Sequence, residues 1–183
     1  MYKECTSPRT RQRSQHIAQT LLDMMLQEHF NHITISALCQ EAGVPRKSFY
    51  RYFETKEDVF HLLVDSLLTD CIACCGLGIH SALELSPEKM ALCYRFWLEQ
   101  RQVFDAAQKS GMVPNLLSRM FQFYENSYLN DPDLWQDPDA ADRLLFSVSG
   151  ISAILFQWYG RGFDRTPEEM ARLTLELLKN PLA

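Results

Sequence analysis

Residues 34–60 constrain the fold of this chain more than any other stretch. Thr34 has the side chain of a helix N-cap, and apolar residues recur at helical spacing after it. Gly43 can take the left-handed conformation that ends a helix, and Pro45 suits the first position of a new helix. Thr55 with Asp58 three residues later predicts a capped third helix. The stretch therefore predicts two short helices joined by a tight turn and followed by a longer helix.

The second of these short helices carries two different faces. Phe49 and Phe53 lie four residues apart on one face, while basic, hydroxyl and tyrosine side chains lie largely elsewhere. Two short helices joined by a glycine turn are typical of a helix-turn-helix, whose second helix enters the major groove of DNA. Arginine and lysine can bind guanine edges, serine can bind base edges, and tyrosine hydroxyls can bind phosphates. The alternative is a small helical hairpin with a solvated basic face.

The run from Val44 to Asp58, VPRKSFYRYFETKED, resembles the signature of the tetracycline-repressor (TetR) family. In that family a V-S-x-x-x-(Leu/Phe)-Tyr-x-(Tyr/His)-Phe-x-(Ser/Thr/Asn)-Lys-(Glu/Asp) run covers the recognition helix and the start of helix 4. Pro45 stands where Ser or Thr is common and Ser48 where Gly or Ala is common, so Pro45 removes a possible hydroxyl contact to phosphate. The family motif covers roughly residues 10–60. The remainder of the chain is similar to the family only in helical architecture.

The pattern and the resemblance together predict a set of DNA-binding residues. The set is Thr34, Arg46, Lys47, Ser48, Tyr50, Arg51, Tyr52 and Lys56. We expect base contacts chiefly from Arg46, Lys47 and Ser48 of a recognition helix spanning Pro45 to Tyr52. The remaining members are expected to contact phosphates, and Arg51 either reaches a phosphate or stays solvated. Residues 1–13 are predicted to form a loose arm whose arginines either reach DNA or remain solvated.

Charge is distributed unevenly along the 183 residues, whose net charge is −5. Residues 1–56 hold eight Lys/Arg against five Asp/Glu, and the remainder holds ten against eighteen. A basic head on an acidic body lets the head approach phosphates selectively. We therefore predict an N-terminal helix-turn-helix DNA-binding domain over residues 1–56 and a helical ligand-binding and dimerisation domain over residues 57–183.

The predicted fold class is all-α, with a three-helix DNA-binding domain followed by a helical-bundle regulatory and dimerisation domain. Helix 4 should run from Lys56 into the seventies, and further helices should span about 87–108, 113–128 and 140–159, with a last helix after Thr166. The helix over 140–159 is apolar on more than one side, which favours burial on most sides. We expect the last two helices to form a homodimer interface, as in the resembled family, with a monomeric core as the alternative.

Neither a membrane span nor a secretory signal is evident, so we expect a cytoplasmic protein without membrane partners. Six cysteines in such a chain favour reduced thiols over disulfides. Cys71, Cys74 and Cys75 share a helix face and are interpreted as small buried apolar residues. A thiol or soft-metal sensor built on these three is the open alternative. No other metal site and no cofactor is predicted.

Apolar and aromatic residues of the body could line a small-molecule cavity between helices, although such stripes are often plain core. The candidates are Met90, Tyr94, Trp97, Phe104, Met112, Phe121, Tyr124 and Phe156. No catalytic motif is found, so we expect no enzyme. The resemblance implies a dimeric transcriptional regulator, most simply a repressor released from a palindromic operator by an apolar or aromatic effector. The alternatives are a helical protein–protein adaptor without operator binding, and a thiol- or metal-responsive regulator.

Overall fold

The structure, a computed structural model, describes residues 7–76, 85–129 and 139–179. Within these ranges the chain forms nine α-helices and one 3-10 turn (Phe30–His32), without any β-strand. The helices are α1 (Pro8–Met25), α2 (Ile35–Glu41), α3 (Arg46–Phe49), α4 (Lys56–Cys75), α5 (Pro87–Glu99), α6 (Arg101–Ser110), α7 (Val113–Leu129), α8 (Ala140–Gly160) and α9 (Pro167–Lys179). The all-α class predicted from the sequence is confirmed. Among these helices none is both long and apolar enough to cross a membrane.

Side-chain caps start several helices where the sequence predicts them. Thr34 Oγ1 accepts the Ala37 N–H at 3.1 Å and caps α2. At the start of α4, Thr55 and Asp58 cap each other: the Thr55 N–H donates to the Asp58 carboxylate and the Asp58 N–H donates to the Thr55 hydroxyl, both at 3.2 Å. Thr166 and Glu169 form the equivalent pair before α9, at 2.8 and 3.2 Å. These local signals fix the helix starts.

Two predicted boundaries are wrong. The loose arm does not extend to residue 13, because Ser7 caps α1 by accepting the Thr10 N–H and Pro8 occupies the first helical position. Residues 1–6 lie outside the described ranges. The single helix predicted over 87–108 is divided, because Gln100 leaves the helical conformation at φ −92° and ψ 20°.

The described residues pack as two compact units. The first comprises the chain up to residue 67 together with residues 102–119, and the second comprises residues 68–101 and those from 120 onward. Ile17, Leu38 and Phe49 are fully buried in the first unit, and Tyr94 and Trp158 in the second. The division of the chain into functional domains at residue 56 stays a prediction.

The turn between α8 and α9 is built on aromatic packing. Phe163 has a positive φ of 60°, which is unfavourable for a residue with a side chain. Its ring meets that of Trp158 edge to face at 4.7 Å between centroids and lies 5.8 Å from that of Tyr159. Trp158 Nε1 also donates to the Arg165 carbonyl at 3.1 Å. These contacts offset the backbone strain at Phe163.

Candidate nucleic-acid interface and ligand cavity

The turn between α2 and α3 has the geometry of a helix-turn-helix. Gly43 takes the left-handed conformation at φ 62°, and the Val44 N–H closes the end of α2 by donating to the Cys39 carbonyl at 2.9 Å. The recognition helix is shorter than the predicted span of Pro45 to Tyr52, because regular α3 covers only Arg46–Phe49. The Phe53 N–H still donates to the Phe49 carbonyl, at 3.0 Å. A helical turn therefore continues the same face beyond α3.

The outer face of α3 presents the basic residues predicted to read bases. Arg46 and Lys47 are exposed and Ser48 is half-buried, while Phe49 lies fully buried beneath them. Arg46 Nη2 donates to the hydroxyl of Tyr50 at 3.3 Å, and its guanidinium lies 6.0 Å from the centre of that ring. This contact holds two predicted DNA-binding side chains side by side on an exposed surface.

The two predicted tyrosine contacts differ in exposure. Tyr50 is 44% exposed, whereas Tyr52 is only 6% exposed and packs its ring against that of Phe53. Arg51 is exposed, and Thr34 is exposed while it caps α2. The structure therefore offers Tyr50 to a phosphate more readily than Tyr52, whose ring serves the core of the first unit.

Lys56 has partners inside the protein. Its ammonium donates to the carbonyls of Phe30 and Ile33 at 2.6 and 2.8 Å and lies 4.4 Å from the centre of the Phe30 ring. An ammonium has three N–H donors, so two are used here and one is left. Lys56 thus ties the start of α4 to the 3-10 turn, a role that the sequence did not indicate.

The second unit contains an apolar cavity of about 70 Å³. Of the residues predicted to line a cavity, Met90, Trp97 and Tyr124 do so. Cys93 and Ser152 also line it without having been predicted. For scale, a buried apolar cavity of about 150 Å³ is enough to bind benzene. The cavity in its present form therefore holds at most a very small molecule.

The other predicted cavity residues are placed elsewhere. Phe104 and Met112 are buried in the first unit and do not line this cavity. Tyr94 is core: its hydroxyl bonds the Thr174 hydroxyl at 2.5 Å, and burial raises its pKa. Phe121 and Phe156 are half-buried in the second unit, outside the cavity wall. Helical spacing alone did not distinguish these core positions from cavity positions.

Residues 22–63 match a family model described as "Bacterial regulatory proteins, tetR family". The match contains α2, the turn, α3 and the start of α4, which are the elements described above. Over this segment the chain is similar to the TetR family of bacterial regulatory proteins. The match supports a DNA-binding transcriptional regulator, and a match to a family of regulators agrees with the prediction that the chain is not an enzyme. No curated protein matches the chain significantly.

Solved structures of similar fold cover almost the whole length of this chain. A TetR-family transcriptional regulator from Syntrophomonas wolfei is 17% identical with a TM-score of 0.62, over 93% of this chain and 95% of the other. The dihydroxyacetone kinase operon activator DhaS is 18% identical with a TM-score of 0.60, over 93% and 96%. The flavonoid-responsive regulator FrrA is 17% identical with a TM-score of 0.51, over 92% and 95%. At these identities the likeness shows the fold.

Three thiols also lie close together in the second unit. Cys71 and Cys75 on α4 lie one helical turn apart with their sulfurs 3.9 Å from each other, and Cys93 on α5 lies 3.7 Å from Cys71. Hydrogen bonds from the other two thiols lower the pKa of Cys75 to about 4, while donation to Cys75 and burial raise that of Cys71. Cys74, the third residue of the sequence-based group, is exposed. The sequence missed Cys93 because only tertiary packing brings it to this helix.

Two large apolar side chains of α8 face outward in the isolated chain. Leu145 is 57% exposed and Phe146 is 59% exposed. Adjacent exposed apolar residues of this size are unusual on a surface that faces only water.

Proposed function

We propose that this chain is a homodimeric TetR-family repressor that binds a palindromic operator and is released by a small apolar or aromatic effector. The observation that carries the proposal is the exposed basic face of α3, held above a fully buried Phe49. Arg46, Lys47 and Ser48 would contact base edges, and Tyr50 would contact phosphate. These residues project from a packed scaffold, which is what a base-reading helix requires.

Further phosphate contacts are proposed for Thr34, Tyr52 and Lys56, with Arg51 reaching a phosphate or staying solvated. Lys56 would use the N–H that its two internal carbonyl partners leave over. Tyr52 would reach DNA through its hydroxyl alone, because its ring is packed. The retained basic face argues against the adaptor alternative, which has no need of it.

The dimer is supported by the exposed pair Leu145 and Phe146 on α8. A second copy would bury both residues in a bundle built from α8 and α9 of each chain. A twofold dimer presents two recognition helices, and such proteins read inverted half-sites about one helical turn or a multiple of it apart. This geometry is the basis for proposing a palindromic operator.

The effector is supported by the apolar cavity of the second unit. Because the cavity is only about 70 Å³, an aromatic molecule fits only if the surrounding helices move apart. Such a molecule would bind a widened conformer in preference to the present one, and that difference in affinity is what allows binding to change DNA affinity. FrrA, of similar fold, is described as flavonoid-responsive, which is consistent with an aromatic effector.

In vitro selection from random duplex DNA, read at two salt concentrations, tests the DNA-binding part of the proposal. We expect an enriched inverted repeat whose spacing equals the distance between the two recognition helices. Transcription from a promoter carrying that repeat should fall on addition of the protein. If no sequence is enriched and binding depends wholly on salt, the specific-repressor proposal fails and the adaptor alternative leads.

Indole, added as a small aromatic probe to the complex with fluorescent operator, tests the effector part. We expect indole to release the labelled DNA from the unmodified protein. Ser147→Leu should weaken this release, because Ser147 lines the cavity and leucine would fill part of it. Ser149→Leu is the matched control on the same helix, outside the cavity wall. Release that is equally sensitive to both substitutions would contradict an effector site in this cavity.

A further inference from the structure

Cys71, Cys75 and Cys93 form a thiol cluster in the second unit. Each is buried, with exposures of 2%, 2% and 8% respectively. Their three sulfurs all lie within 4.8 Å of one another. Three thiols from two different helices converge on one point, and thiolates are the ligands that soft, thiophilic ions prefer.

The spacing of the sulfurs suits one ion bound to all three. With bonds of about 2.3 Å to sulfur, three sulfurs in a pyramidal arrangement around one ion lie about 3.4–3.8 Å apart. The observed separations from Cys71 are 3.9 Å to Cys75 and 3.7 Å to Cys93. The third separation is below 4.8 Å, so side-chain rotation that draws the sulfurs together would complete the site.

Charge decides which soft ion the cluster suits. Among the described residues, the groups that perturb these thiols electrostatically are other cysteines, and no basic group is among them. Three buried thiolates carry three negative charges, so a monovalent or divalent ion would leave a net negative charge in an apolar site. A trivalent ion leaves none. We propose that Cys71, Cys75 and Cys93 form a binding site for a trivalent thiophilic ion of the arsenite class.

The binding step balances without any oxidant or reductant. One arsenous acid molecule, As(OH)₃, reacts with the three thiols: three As–O and three S–H bonds break, three As–S bonds form, and three water molecules leave. Arsenic remains trivalent, and the product carries no net charge. Cys93 also lines the apolar cavity, which gives a neutral arsenous acid molecule a route to the sulfurs.

The test of this site is independent of the proposed effector response, because binding is measured on the full chain without DNA. The protein is kept reduced with a phosphine under nitrogen, titrated with arsenite and examined by native mass spectrometry. We expect one arsenic atom per chain with the loss of three hydrogens, which distinguishes three As–S bonds from two. Titrations with Cu(I) and Zn²⁺ form the parallel arms, and both should bind more weakly than arsenite.

Matched serine variants locate the site. Cys93→Ser should lower arsenite affinity at least tenfold and abolish the adduct that has lost three hydrogens. Cys75→Ser should have the same effect, and it serves as the test if Cys93→Ser folds poorly. Cys74→Ser, an exposed neighbour, and Cys39→Ser, a buried cysteine of the first unit, should bind as the unmodified chain does. Circular dichroism checks that each variant is folded.

Three outcomes would overturn the proposal. One is an unchanged affinity for arsenite in folded Cys93→Ser, which would show that only Cys71 and Cys75 on α4 bind the ion. Another is loss of binding in Cys74→Ser, which would place the ion on the exposed thiol. The last is tighter binding of Cu(I) or Zn²⁺ than of arsenite, which would refute the charge argument.

Discussion

Arg119 on α7 binds both carboxylate oxygens of Asp65 on α4. Its Nε donates to Oδ1 at 2.7 Å and its Nη2 to Oδ2 at 2.5 Å, with both side chains largely buried. Paired donors of this kind are the strongest form of ion pair in proteins, and removal of one partner leaves a charge buried without its counterpart.

We predict that Asp65→Asn lowers the free energy of unfolding by about 2 kcal/mol, measured by urea denaturation. Glu168→Gln is the control, because the Arg95–Glu168 pair is half exposed on both sides and such pairs contribute about 0–1 kcal/mol. Equal effects of the two substitutions would show that burial does not strengthen the Asp65–Arg119 pair.

Lys56→Met is predicted to destabilise the chain by about 2 kcal/mol. Methionine keeps the length of the side chain but leaves the carbonyls of Phe30 and Ile33 without the donor that they now share. Lys47→Met, at an exposed lysine of α3, should change stability by less than about 0.5 kcal/mol while weakening DNA binding. If Lys56→Met is as stable as the unmodified chain, the contacts of Lys56 with the two carbonyls do not stabilise the fold.

Arg46→Ala should relax base specificity at one position of each half-site, at a cost of about 1–3 kcal/mol for the preferred base. The structural reason is that Arg46 stands on the exposed face of α3, beside Tyr50. Tyr50→Phe, in contrast, removes only a hydroxyl proposed to bind phosphate and should weaken binding to all sequences alike. The measurement is repeated selection with each variant, and an unchanged consensus for Arg46→Ala would exclude it as a base reader.

Two acidic substitutions, Leu145→Asp and Phe146→Asp, are predicted to convert a dimer into a monomer in sedimentation velocity experiments. Both residues are exposed in the isolated chain, so the folded monomer has no reason to lose stability. Leu92→Asp, at an apolar residue of α5 that is 38% exposed, provides the control and should leave the dimer intact. A variant carrying both α8 substitutions that remains dimeric would place the interface elsewhere.

Acid should destabilise the first unit through His61. Burial and the nearby Arg119 guanidinium lower the pKa of His61 below its ordinary value of 6.5. The unfolded chain therefore binds a proton more readily than the folded chain, and stability falls as the pH drops below about 6.5. His61→Gln should show a smaller loss of stability between pH 7.5 and 5.5, and His32→Gln, at an exposed histidine, should behave as the unmodified chain. A similar loss in all three proteins would contradict this assignment.

Local signals in the sequence were enough to predict where several helices start. Thr34, Gly43 and the Thr55–Asp58 pair each act within a few residues, so their effect does not depend on the rest of the fold. The start of α1 carries a local signal of the same kind, because Ser7 caps the helix and Pro8 follows it, as Ser86 and Pro87 do at the start of α5.

Local signals of this kind do not predict which residues of other helices a side chain contacts. Phe104 and Trp97 have similar sequence surroundings, yet only Trp97 lines the cavity, because the two residues belong to different compact units. Cys93 joins Cys71 across 22 positions of sequence, and the buried role of Lys56 depends on carbonyls more than 20 residues away. Periodicity specifies which face of a helix is apolar, but the packing of helices decides what that face meets.

The aromatic turn between α8 and α9 bears on the order in which the chain assembles. Its contacts join residues at most seven positions apart, whereas the Tyr94–Thr174 hydrogen bond spans 80. Closing a short loop costs little chain entropy, so we expect this helical hairpin to form before the distant contacts. In stopped-flow experiments Phe163→Ala should then mainly slow refolding, and Tyr94→Phe should mainly speed unfolding. The α8 surface proposed for dimerisation would thus form early in folding, because the α8–α9 hairpin depends on few contacts with the rest of the chain.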